Sequence, residues 1–163
     1  MHNIYVKSLL DLIHLLATIT WFGTLFVNVA LLRNTVQKTL TPEAAAKFTK
    51  LLMKKARMIV YISLAVLFIT GIPLKIVSPY YVSIINFSND WQIAMFIKHV
   101  FVAILALLAI INFDVIAPKI QKLAAAGASH ELIKMRKMQE AAGKLSVVLA
   151  FISITISAIM NYL

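Results

Sequence analysis

Apolar residues run along this chain in four long blocks, separated by short polar or basic stretches. The first block, Ile4 to Leu32, reads IYVKSLLDLIHLLATITWFGTLFVNVALL. It is long enough to cross a bilayer with tilt, since about 20 apolar residues suffice. It is too long for a signal-peptide core and lacks a small-residue cleavage site, so it is expected to remain as a helix. A polar segment follows. Thr41-Pro42-Glu43 then predicts a helix start, with Thr41 as N-cap and Pro42 in the first helical position. That helix should continue through KLLMKKAR into a second span over residues 58–77, ending around Pro73, Ser78 and Pro79. After SPYYVSIINFSND, a third span covers 91–117, with Pro118 as its stop. A polar loop with Gly127 leads to a fourth span over 145–162. These runs are too long for strands. The pattern predicts an all-α protein: one integral membrane domain over residues 1–163, an up-down-up-down four-helix bundle with short connections.

Charge sharpens that picture. The chain is 61% hydrophobic, with 16 Lys and Arg against 6 Asp and Glu, a net +10. The basic residues fall between the apolar blocks, so the excess points to membrane orientation and anionic lipid headgroups and not to nucleic acid. Lys47, Lys50, Lys54, Lys55 and Arg57 flank the first connection; Lys119, Lys122, Lys134, Arg136 and Lys137 flank the second long one. The positive-inside rule then places both connections in the cytoplasm and both termini outside a plasma membrane. Tyr5, Tyr80, Tyr81, Trp91 and Tyr162 all fall at the outer ends, as interfacial aromatics do. The absence of cysteine excludes disulfides, thiolate metal sites and covalently attached c-type haem.

Two histidines stand inside apolar spans, His14 in the first and His99 in the third. An imidazole in hydrocarbon needs a partner and is a functional-site candidate by default. At 1.5 Å per residue, His14 lies about 13 Å below Tyr5 and His99 about 12 Å below Trp91. Spans one and three lie diagonally in an up-down-up-down bundle, so one layer would hold both. That placement suits two axial ligands on the iron of a single haem b. Small residues at the same count, Gly71 on the second span and Ser153 on the fourth, would let a flat group approach. Lys7 and Lys75 are candidates to meet the propionates. Copper held by His14, His99 and Met95 is the alternative metal reading, and two structural histidines are the plain one. Asp11 is a candidate partner for the free ring nitrogen of His14 if it is not solvated among the headgroups. Asn28, Asn112 and Asp114 near the cytoplasmic ends suit a proton or quinone site, or are ordinary helix-end polar residues. His2 and His130 lie outside the membrane layer, at opposite faces.

The chain resembles the CopD-type group of four-helix membrane proteins and, more distantly, the HemJ-type protoporphyrinogen oxidases. The resemblance rests on LIHLLATITWFG with His14, Trp21 and Gly23, on the stretch from Arg57 to Gly71, on Trp91 followed by Lys98, and on the fourth span after Glu140. It covers most of the chain. It implies copper handling or haem binding. HemJ-like proteins carry a Pro-Arg pair after the first helix motif, where this chain reads LFVNVALLRN. The layout also looks like four-helix b-type cytochromes that pass electrons from superoxide to quinone; those carry two histidine pairs and this chain one. The expectation is a membrane b-type cytochrome with one bis-histidine haem near the outer face, moving single electrons to or from a quinone. A copper transporter, a protoporphyrinogen oxidase and a cofactor-free membrane subunit are the alternatives.

Overall fold

A computed structural model describes residues 4–83, 85–127 and 129–163, apart from the side chains of Arg33, Asn34 and Gln37. The described residues form helices and connections only, with no strand among them. Helix α1 (Ile4–Phe26) passes through a π-helical turn (Val27–Leu32) into α2 (Arg33–Thr39). Helix α3 spans Pro42–Ile76 and α4 spans Asp90–Ile110. A second π-helical turn (Ile111–Ile116) joins α4 to α5 (Ala117–Ala125). Helix α6 (His130–Ile159) closes in a 3₁₀ turn, Met160–Tyr162. Four runs are long and apolar enough to cross a membrane: Ile4–Leu32, Pro42–Ile76, Asp90–Ala125 and His130–Tyr162.

The caps explain where these rods begin. Thr41 accepts from the backbone N–H of Ala44 at 3.4 Å with Pro42 just inside, as the sequence predicts. Asn89 caps α4 through Gln92 N at 2.8 Å, and Ser129 caps α6 through Leu132 N at 3.1 Å. The fourth helix therefore starts well before its apolar part, because the polar stretch 130–144 is helical too. Pro118 does not stop the third rod. The π turn has already interrupted the four-residue ladder, so Pro118 falls in the first turn of α5, where its missing N–H costs little. Gly127, at φ +106°, makes the one left-handed turn among the described residues.

Helix α1 packs chiefly on α3, and α4 chiefly on α6; lighter contacts join α1 to α6 and α3 to α4. The four rods thus form a ring with α1 and α4 across it. Trp21, Ala56, Val60, Leu105, Ala109, Phe113 and Ala150 fill its centre, drawing on every rod. Small alanines at three of those positions let the backbones close in. Most large apolar side chains instead point outward: Leu9, Ile69 and Phe151 are each more than half exposed. Such a surface is unsuited to water, and the apolar helices fit a lipid bilayer. The hydroxyls of Thr20, Thr24, Ser146 and Thr155 each bond the carbonyl four residues back, which removes their need for water within the apolar rods.

The connections differ in chemistry. Tyr80 and Trp91 flank the one between α3 and α4, and basic residues flank the one before α3 and the one between α5 and α6. At the first, Gln92 is fully buried and donates to the Tyr80 carbonyl at 3.1 Å, pinning the 77–89 connection to α4. At the last, Lys119 of α5 meets Glu131 of α6 at 2.7 Å.

Candidate functional site

His14 projects from α1 toward α3. Its Nδ1 lies 2.7 Å from Thr70 Oγ1. Thr70 donates its only hydroxyl proton to the Val66 carbonyl at 2.7 Å. Thr70 must then accept, so Nδ1 of His14 carries the proton and Nε2 keeps its lone pair. On α4, His99 Nδ1 lies 2.6 Å from the Met95 carbonyl. A carbonyl only accepts, so His99 also protonates Nδ1 and leaves Nε2 free. Both tautomers follow from the hydrogen-bond network.

The other candidates from the sequence take these places. Asp11 is exposed, and the free ring nitrogen that it was a candidate for is taken by Thr70. A hydroxyl on the facing helix meets the ring directly, whereas Asp11 shares a helix with His14 and remains solvent-directed. Gly71 lies against the imidazole itself: a Cβ there would stand 3.3 Å from His14 Cε1 and 3.8 Å from Nδ1. Its small size serves the ring. Ser153 is buried, but its hydroxyl bonds the Leu149 carbonyl of its own helix at 2.9 Å. Lys7 is exposed on the first turn of α1. Lys75 places its Nζ 5.4 Å from the centre of the Tyr81 ring.

Two more residues belong here: Thr70, which the sequence did not single out, and Lys98, which it marked only for the family resemblance. Thr70 fixes the His14 tautomer; its position immediately before Gly71 was the available signal. Lys98 is half-buried next to His99 on α4. Neither Lys98 nor Lys75 forms an ion pair among the described residues. A lysine inside an apolar run was itself a signal.

The polar residues near the basic connections go elsewhere. Asp114 accepts the Tyr61 hydroxyl and pairs with Arg57 at 2.8 Å, tying the second π turn to α3. Asn28 donates to the Thr24 carbonyl at 2.7 Å. His130 is exposed at the start of α6, and His2 lies outside the described residues.

What these groups can do follows from donor count. No cluster of three or more His, Cys, Asp or Glu occurs among the described residues. A metal caged by protein alone would normally draw on three or four such donors. His14 is half-buried on α1 and His99 exposed on α4, and each has its Nδ1 engaged by an oxygen. No protein-family model, curated protein or solved structure matches the chain.

Proposed function

We propose that this multi-pass membrane protein is a b-type cytochrome with one haem, for which His14 and His99 are the axial ligands. The carrying observation is the paired tautomer: each Nδ1–H is committed to an oxygen, Thr70 Oγ1 or the Met95 carbonyl, and each Nε2 is available. A ligating histidine generally donates its second N–H to such an acceptor, which fixes its orientation and raises its basicity. Haem would bring its own donors to a site where the described residues hold no cluster of three or more His, Cys, Asp or Glu. Haem b held by His14 and His99 would supply a one-electron iron couple suited to electron transfer.

The chain's own residues do the rest. Thr70 and Met95 hold the two rings. Gly71 gives the His14 ring its place against α3. Lys98, next to His99, and Lys75, over the Tyr81 ring, form no ion pair among the described residues and are suited to carboxylate groups of a ligand. Ser153 and Lys7 contribute at most space and peripheral charge.

This reading places the basic connections in the cytoplasm, both termini outside the plasma membrane, and the spans in up-down-up-down order. The outer aromatics and the Lys and Arg distribution support that orientation. A membrane quinone is the proposed exchange partner for electrons. The resemblance to CopD-type proteins agrees with a metal or haem role, and copper is the competing cargo, with Met95 buried next to His99. An absorption spectrum of the purified protein separates the cases. Haem gives a sharp Soret band with split visible bands on reduction; a featureless spectrum with bound copper, or with no metal, overturns the cytochrome.

A further inference from the structure

The two π turns face one cavity. The first, Val27–Leu32, contributes Asn28 and Val29; the second, Ile111–Ile116, contributes Asn112 and Phe113. Trp21 and Leu105 close it toward the middle of the bundle, and Gly143 and Ser146 of α6 line its side. It measures about 50 Å³ and is partly open. The volume is decisive. A dry engineered cavity that takes benzene is about 150 Å³, whereas one water needs roughly 10–15 Å³ on this kind of measure. An aromatic ring does not fit, but about three or four waters do.

The lining chemistry agrees. Asn112 Oδ1 is buried and has no hydrogen-bond partner among the described residues. It is an acceptor, so it requires a donor from outside the protein's own groups. Three other polar side chains at the wall have a bond within the protein: Asn28 to Thr24 O, Thr24 to Thr20 O and Ser146 to Ala142 O. Each of those side-chain oxygens still has acceptor capacity toward further donors. π turns are uncommon and concentrate at functional positions in helices. Here two of them, on rods across the ring, border the same space. Gly143 marks how tight the wall is, since a Cβ there would come 3.1 Å from Val29 Cγ2.

We propose that this cavity is an internal water site, with one water donating to Asn112 Oδ1 and the cluster exchanging with solvent beside the basic connections. It brings exchangeable protons to the Trp21 level, seven residues or about 10 Å along α1 from His14. The water site does not depend on any cofactor at the histidines.

Trp21 reports on the site directly. The chain has two tryptophans, so a Trp91→Phe variant in phosphatidylcholine bilayers isolates its emission. Water in the cavity places that emission to the red of the Asn112→Leu form and makes its intensity rise in D₂O. Asn112→Leu should shift the emission blue and abolish the isotope effect. Asn112→Ala removes the acceptor without adding bulk, and it should reduce the isotope effect even if the leucine variant does not fold. Blue, isotope-insensitive Trp21 emission that neither variant changes would overturn the proposal, as would xenon uptake by the wild-type cavity under pressure.

Discussion

His14 and Thr70 are joined across the α1–α3 interface by a 2.7 Å hydrogen bond in which the threonine accepts. One side chain thus sets the protonated nitrogen, and so the free nitrogen, of the other. Thr70→Val keeps shape and removes the acceptor. It should weaken haem binding by about 10–100-fold, the usual scale for losing such a supporting bond. Thr70→Ser should restore most of it. Haem titration of detergent-solubilised apoprotein measures this, and equal affinity for wild type and Thr70→Val would show that the bond orients nothing.

Gly71→Leu should both destabilise the protein and lower haem occupancy. Its Cβ alone would sit 3.3 Å from the His14 ring, and overpacking typically costs about 1–3 kcal/mol. Gly23→Leu is the matched control, because a Cβ at Gly23 meets nothing within 4 Å. Gly127 would be a poor control, since its φ of +106° penalises any side chain. Thermal melting and haem-to-protein ratio, taken together, distinguish the two glycines. A Gly71→Leu protein with wild-type haem content would detach the glycine from ligation.

How far the sequence disclosed this site varied with the residue. His14 and His99 stood out because an imidazole in an apolar run is rare and costly. Thr70 did not, because a mid-helix threonine looks the same whether its hydroxyl only bonds the turn behind it or also receives a neighbour's proton. The four apolar rods were legible from length and composition. The π turns were not: one extra residue in a turn leaves an apolar run apolar. Pro118 misled for the same reason, since nothing in the residues shows that the ladder is already broken upstream. Helix α6 begins 15 residues before its expected apolar span, at 130 instead of 145, because charged residues continue a helix as readily as apolar ones do.

The Arg57–Asp114 pair should contribute little to stability. Its side chains are 52% and 32% exposed, and pairs of that kind are generally worth about 0–1 kcal/mol. Asp114→Asn should therefore change the melting temperature only slightly at moderate salt. Chemical denaturation in matched detergent checks this. A loss of several kcal/mol would mean that the Tyr61–Asp114–Arg57 group clamps α3 to the second π turn.

Topology has its own test, made simple by the absence of native cysteine. A cysteine introduced at Ala125 or Ser129 should react with an impermeant maleimide only after the membrane is opened. Labelling in intact cells would reverse the orientation argued from the basic connections.

The most direct measurement is the haem-to-protein ratio of His14→Ala and His99→Ala, set beside His130→Ala, whose side chain is exposed at the start of α6. The account predicts that either of the first two loses most or all of the haem and the low-spin bis-histidine spectrum, while His130→Ala keeps both. Wild-type haem content in both His14→Ala and His99→Ala, or a wild-type protein purified without haem from haem-replete cells, would contradict it.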